Sequence, residues 1–204
     1  LEKIKQYKLK EVAQTEINKT VYQLQNEPYF LRQTYSLKQR LQDETQSGII
    51  AEFKRASPSK GIIHKNADVK KITTSYKKAK ATALSVLTDS HFFQAQKNDF
   101  ATARKYNSIP ILRKDFIVSP YQILETKAMG ADVMLLIASI LSAKEIQRFA
   151  KMAKNIGLEV LLEVHTKSEI EEKFCDEIDI IGINNRNLHT FEAVSYTHLT
   201  LPTS

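Results

Sequence analysis

Cysteine is nearly missing from this sequence: Cys175 is the single example among 204 residues. One thiol excludes an internal disulfide and points to a reducing compartment, so the cytoplasm is the expected location. Long apolar runs are also scarce. The longest, VMLLIASIL at 133–141, is far short of the roughly 20 residues that span a bilayer. No basic-then-apolar leader with a small-residue cleavage site is present, and no membrane partner is expected. Glycine occurs only five times, with neither a GxGxxG nor a GxxxxGKS pattern. That argues against the phosphate loops of dinucleotide-binding and P-loop folds. No HExxH or clustered His/Cys set suggests a metal site, and no metal or cofactor is expected. His64, His91 and His165 are scattered and read as ordinary loop or strand-end residues. No G-x-S-x-G elbow occurs.

What remains is an ordinary globular composition, 42% hydrophobic and 26% charged, able to bury a sizeable core. The net charge of +7 is unevenly placed. Residues 1–80 carry 17 Lys+Arg against 8 Asp+Glu, whereas the rest carries a slight acidic excess. A basic end can bind nucleic acid, but no RNP, KH or zinc-finger pattern accompanies it. Solvated faces of lysine-rich helices are the commoner cause of such a surplus. No nucleic-acid partner is expected, although a positive field would help draw in a small anionic substrate.

Two segments with helical pattern come first. LEKIKQYKLKEVAQTEI has apolar residues at 4, 7, 9 and 12 among strong helix formers, and YFLRQTYSLKQRLQ leads to Gly48. From residue 49 short apolar runs alternate with helix-period segments. The runs are IIAEFK (49–54), ALSVLT (83–88), IPILRK (109–114), DVMLLI (132–137), LEVLLEV (158–164) and IDIIGIN (178–184). Helices are expected near 67–80, 97–107, 120–129, 143–156 and 167–175. Two of them close on a glycine that leads straight into a strand, AMGADVMLL and NIGLEVLLE. Near-continuous apolar strands imply cover on both faces, hence a parallel sheet, either doubly wound or a (β/α)8 barrel. The expected fold class is α/β, a TIM (β/α)8 barrel represented by about six strands and five helices after an N-terminal helical extension. The expected divisions are residues 1–48 for the extension, 49–192 for the partial barrel and 193–204 for a tail foreign to it. A chain starting at Leu1 and ending in SYTHLTLPTS, which lacks Asp, Glu, Lys and Arg, is expected to be a fragment cut at both ends.

Side chains in a strand alternate faces, so Glu52 and Lys54 share one face and Phe53 and Arg55 the other. If Phe53 packs outward against helices, Glu52 and Lys54 face the barrel mouth. Lys114 in LRKDF, Glu163 in LLEVH, and Asn184 with Arg186 in GINNRNL end later strands in the same way. A closed barrel would bring these ends to one rim. Each alone also reads as an ordinary rim ion pair. Together, lysines beside carboxylates suit proton transfer, because each shifts the other's pKa. Phe93 and Phe116 could wall an apolar ring pocket or simply pack beneath loops. Ser57 flanks Pro58 in what is otherwise a plain βα turn.

The blocks IIAEFKRASPSKG, SVLTDSHFF, IPILRKDFIVSPYQILETKAMGADVMLLIASIL, GLEVLLEVHT and IGINNRNLHTFE closely resemble the indole-3-glycerol-phosphate synthase family, in order from about residue 2 to 192. The resemblance implies a phosphosugar substrate, 1-(2-carboxyphenylamino)-1-deoxyribulose 5-phosphate. It implies ring closure with loss of carbon dioxide and water, in tryptophan biosynthesis and without a cofactor. It also implies Lys114 as general acid, Glu163 as general base, Glu52 as proton-transfer assistant and Lys54 as anion holder and second acid. Asn184 would orient the ribulose hydroxyls, and Ser57 and Arg186 would touch the substrate carboxylate or its neighbours. Phe93 and Phe116 would sandwich the anthranilate ring, and the N-terminal helices would cover the mouth. Association or fusion with neighbouring tryptophan-pathway enzymes belongs to the same set of expectations.

TFEAVSYTHLTLPTS does not resemble the two βα units that follow strand six in that family, so the chain alone is expected to be inactive and poorly stable, with open sheet edges. Two other readings stay open. One is a different phosphosugar barrel such as phosphoribosylanthranilate isomerase, which would need a cysteine–aspartate pair at strand ends. The other is a non-catalytic basic binding module using residues 1–80.

Overall fold

All six apolar runs become strands of one parallel sheet in the computed structural model, which describes residues 2–58 and 61–184. They are β1 (Ile50–Phe53), β2 (Ala83–Leu87), β3 (Ile111–Lys114), β4 (Val133–Ile137), β5 (Glu159–Val164) and β6 (Ile180–Ile183). The sheet follows chain order, and every neighbouring pair is parallel. It curls into a half-barrel, the architecture of an incomplete TIM barrel.

Helices connect the strands. They are α4 (Val69–Lys78), α5 (Ser90–Phe93), α6 (Asp99–Tyr106), α7 (Pro120–Ala128), α8 (Ala143–Asn155) and α9 (Lys167–Lys173), preceded by α1 (Glu2–Asn18), α2 (Val21–Gln25) and α3 (Leu37–Gln42). Their starts are written in the sequence. Ser119 with Gln122, Ser142 with Glu145 and Thr166 with Glu169 each form a reciprocal capping box, which satisfies amide groups that the first turn leaves without partners. The short α5, a 3-10 turn at Ala138–Ile140 and a two-stranded hairpin pairing Ala56–Ser57 with Gly61–Ile62 have no periodicity long enough to read beforehand.

The outer face of the sheet carries the apolar layer. Phe53, Leu84, Val86 and Ile111 pack with Val69 of α4 and Phe100 and Ala103 of α6. Farther along, Met134, Leu136, Val160 and Leu162 join Ile146, Phe149, Ala150 and Ala153 of α8. Phe53 thus points outward, as the alternation requires. Arg55, on the same side, is buried in a bidentate pair with Asp99.

Two expectations about the N-terminal segment change. The buried stripe of α1 is not 4, 7, 9 and 12; Lys8 and Val12 are buried, whereas Tyr7 and Leu9 are exposed. Residues 29–36 are not helical. Asp132 accepts the Tyr35 amide at 2.8 Å, and Glu159 accepts the Leu37 and Lys38 amides at 2.8 and 3.0 Å. Carboxylates at the start of β4 and β5 therefore take the amides that a longer helix would have used. Asp132 is fully buried and also accepts from Arg32, Arg104 and the Ile111 amide. This end of the extension plugs the bottom of the sheet, and Leu37 enters the main core.

Gly130, after α7, has φ +86, and a Cβ there would sit 2.9 Å from the Tyr29 ring and 3.0 Å from Arg104. Gly48 has φ +69 with open space around it. Gly48→Ala should pay only the left-handed backbone cost of about 1–2 kcal/mol. Gly130→Ala should lose clearly more, about 2–4 kcal/mol, because the close contacts add strain. Urea unfolding of the two variants side by side checks this.

Candidate active site

A cavity of about 410 Å³ lies on the concave face of the sheet. Its lining follows the period of two: Ile50 and Glu52 from β1, Ser85 from β2, Leu112 and Lys114 from β3, Leu135 from β4, Leu161 and Glu163 from β5, then Gly182 with Ile183 and Asn184 at β6. Parallel register sets the levels. Glu52 pairs with Ser85, Leu87 with Lys114, Ile137 with Glu163, and Glu163 with Gly182. Apolar side chains form the floor, and the ionisable ones stand at the C-terminal ends of the strands, the end where barrel enzymes place their chemistry.

Two ion pairs dominate this rim. Lys114 Nζ donates to Glu163 Oε2 at 2.5 Å, and Lys54 Nζ donates to Glu52 Oε1 at 2.7 Å. Asn184 Nδ2 donates to the other Glu163 oxygen at 3.1 Å. Both oxygens of Glu163 are therefore occupied. Burial works against its charge and pushes the carboxyl up. The Lys114 ammonium and the hydrogen bonds from Lys114 and Asn184 outweigh this and hold it below the usual carboxylate range. Glu163 thus stays ionised at neutral pH.

Four of the expected catalytic residues, Glu52, Lys114, Glu163 and Asn184, line this cavity, and Lys54 joins them through Glu52. Ser57 is buried in the hairpin that follows β1. Phe93 ends α5, and Phe116 follows β3 by two residues, so both lie in connections leaving the C-terminal ends of strands. Their centroids are 6.2 Å apart, with planes inclined by 35°. Two rings enclosing a third need a gap of about 7 Å, twice the contact distance of carbon atoms. The two rings therefore meet as one aromatic face, and neither lines the cavity. Arg186 and the tail 193–204 lie outside the described residues. Among the described residues, none of 2–48 lines the cavity.

Cys175 falls just beyond α9, on the connection that enters β6 from the bottom, and burial pushes its thiol up. It is at the wrong end of the sheet for the cysteine–aspartate chemistry of the isomerase reading. Several lysines of residues 1–80 are already paired within the chain: Lys5 with Glu145, Lys19 with Glu27 and Lys54 with Glu52. This reduces the free charge available to a nucleic-acid surface. No helix among the described residues is long and apolar enough to cross a membrane.

Sequence reasoning missed a second charged cluster behind the rim. Lys8 of α1 lies within 3.1 Å of Asp89, Asp115 and Glu11 carboxylate oxygens, and Arg113 binds Asp115 and Glu125. The available signal was the stripe 4, 8, 11, 12 and 15 of α1, which has helical period but holds polar residues at 8, 11 and 15.

A model of the indole-3-glycerol phosphate synthase family matches residues 1–202. The chain is 45% identical over 168 residues to the "Indole-3-glycerol phosphate synthase" of Campylobacter jejuni (strain 81-176), covering 82% of this chain and 64% of that protein. It is 40% identical over 204 residues to that of Bordetella pertussis, covering 98% of this chain and 78% of the relative. It is 52% identical over 145 residues to that of Bacteroides thetaiotaomicron, covering 71% and 55%. The match thus takes in less than two thirds of the Campylobacter protein's length.

Removing Lys114 alone should strand the Glu163 carboxylate. Lys114 is partly exposed, so Lys114→Met should cost about 1–3 kcal/mol, less than the ~3–5 for a fully buried pair. The double variant Lys114→Met/Glu163→Gln should recover part of the loss in urea unfolding at neutral pH. The sign with pH also follows. Glu163 is held low in the folded state, so its contribution is present above the ordinary carboxylate pKa of about 4.3 and is lost as pH falls through the folded value. Lys114→Met should flatten that acid-side loss.

Proposed function

Because the chain belongs to the indole-3-glycerol phosphate synthase family, we propose that the protein converts 1-(2-carboxyphenylamino)-1-deoxyribulose 5-phosphate into indole-3-glycerol phosphate, as a carboxy-lyase of tryptophan biosynthesis. The observation that carries this reading is the meeting of Glu52, Lys114, Glu163 and Asn184, drawn from four strands, in one cavity. We read residues 49–192 as the catalytic βα array, residues 1–48 as its extension and the cytoplasm as its location.

The chemistry needs an acid, a base and a held geometry. Ring closure forms a carbon–carbon bond between the anthranilate carbon bearing the carboxylate and the ribulose carbonyl carbon. The carbonyl oxygen takes a proton from Lys114. Carbon dioxide then leaves, returning its bonding pair to the ring system. In the dehydration the hydroxyl departs as water with a proton from an acid, for which Lys54 is placed beside Glu52. Glu163 accepts the proton lost from the ring. Asn184 orients the sugar hydroxyls, and Ser57 meets the substrate's anionic groups. The aromatic wall of Phe93 and Phe116 holds the anthranilate ring near the carbonyl, and positioning of this kind can supply several kcal/mol.

The Lys114–Glu163 pair suits this sequence of steps. An ammonium has three N–H groups, so a carbonyl can take one without breaking the pair. While Lys114 is charged, Glu163 is a weak base. Once Lys114 has given up its proton, the field that held the carboxyl down is gone, and Glu163 becomes a better acceptor for the next step.

The test is turnover of the full-length protein followed by the fluorescence of its indole product. Lys114→Met and Glu163→Gln should each lower kcat by roughly 10²–10⁴. Their double variant should lose far less than the product of the two, because the pair acts as a unit. Turnover within a few fold of the unaltered protein in either single variant would sink the assignment.

A further inference from the structure

We propose that Lys8 is a positioning residue for the reaction, tying together the two loops that carry Phe93 and Phe116 and so fixing the aromatic wall beside Lys114. The inference rests on the synthase reading of the cavity.

Lys8 is among the largest fully buried side chains of the described residues, and it belongs to a helix whose other buried residue is Val12. Its Nζ lies 2.5 Å from Asp89 Oδ2, 3.1 Å from Asp115 Oδ1 and 2.9 Å from Glu11 Oε1. Asp89 and Asp115 are not arbitrary partners. Asp89 caps α5, accepting the Phe92 amide through Oδ1 at 2.5 Å, and α5 ends on Phe93. Asp115 directly follows Lys114 and accepts the Phe116 amide at 2.8 Å. Its other oxygen accepts from Thr88 Oγ1 at 2.6 Å and Arg113 at 3.1 Å. One ammonium therefore joins the connections leaving β2 and β3 at the points where each turns to present its aromatic ring. The preceding residue of α1 touches the same place. The Tyr7 ring stacks on His91 at 4.1 Å, and His91 and Phe92 meet edge to face.

A hydrophobic residue would anchor α1 without the burden of a buried charge. Val12 already does so against Leu24, Tyr121 and Ala128. What an apolar residue cannot do is bind two carboxylates at once. The charges are firmly kept: burial opposes the Lys8 ammonium, but Asp115 and Asp89 raise its pKa overall. Burial likewise opposes the Asp115 carboxylate, and Arg113 and Lys8 hold it below the usual range.

The test uses the full-length protein with Lys8→Met and Lys8→Met/Asp89→Asn. The second variant removes both charges, and asparagine still caps a helix, so it guards against misfolding of the first. With unfolding midpoints near that of the unaltered protein, KM should rise about tenfold while kcat changes by less than about threefold. Amide exchange at Phe92 and Phe116 should accelerate roughly tenfold, with Leu135 and Leu161 unchanged. Unchanged KM in a folded variant would overturn the inference, as would exchange that accelerates equally in all strands. If the unaltered protein forms no indole product, the synthase reading fails, and local exchange at Phe92 and Phe116 alone then decides whether Lys8 couples the loops.

Discussion

The Lys114–Glu163 ion pair reaches across an intervening strand. Lys114 ends β3 and Glu163 lies on β5, with β4 between them. Strands two places apart in a flat sheet are separated by about 9–10 Å. The long side chains of Lys114 and Glu163 span that gap to meet at 2.5 Å, the curl of the sheet turns them toward each other, and the cavity lies on the concave face so formed. Asn184 reaches Glu163 from the neighbouring β6, and the curl turns Glu52 of β1 inward. Outside, the apolar layer of Phe53, Leu84, Val86 and Ile111 against α4 and α6 follows the convex face. Curvature is thus the constraint common to the core and the chemistry. Flattening the sheet would lengthen the span that acid and base have to bridge.

Charge is handled differently on the two sides of the strand ends. On the concave side the charged groups are few and partly wet: Lys54 and Glu52 are each about one third exposed, and Lys114 about one quarter. Behind the rim, Lys8, Asp89, Asp115 and Arg113 are almost dry and fully engaged with one another. Buried charged networks add little net stability over apolar packing, but they tolerate few arrangements. A rim whose geometry is over-determined from behind can keep its front open for a ligand.

The strands and their inward residues were legible because both signals are local. Period-two alternation places Glu52, Lys114, Glu163 and Asn184 on one face wherever the strand lies in the sheet, and a helix-closing glycine marks the return into β4 and β5. The N-terminal segment was not legible in the same way. The apolar positions Tyr7 and Leu9 of α1 are exposed while Lys8 is buried, because its partners Asp89 and Asp115 lie far along the chain. Residues 29–36 have helical composition, yet their conformation is decided by Asp132 and Glu159. The spacing of the Phe93 and Phe116 rings is a separation that composition cannot express. Where a residue's partner is near in sequence, pattern suffices; where it is a hundred positions away, pattern is silent.

The plug at the bottom of the sheet has a consequence for how this polypeptide is made. Arg32 waits for Asp132, 100 residues later, and Leu37 for Glu159, 122 residues later. At ribosomal speeds of about 5–20 residues per second, that is an interval of roughly 5–25 seconds. During it Leu37 and Val12 have no complete core to enter, since the later strands that Leu37 joins and the α7 residues that Val12 meets do not yet exist. This segment leaves the ribosome well before the residues it docks on, and the lysines of α1 favour its staying dissolved in the interval.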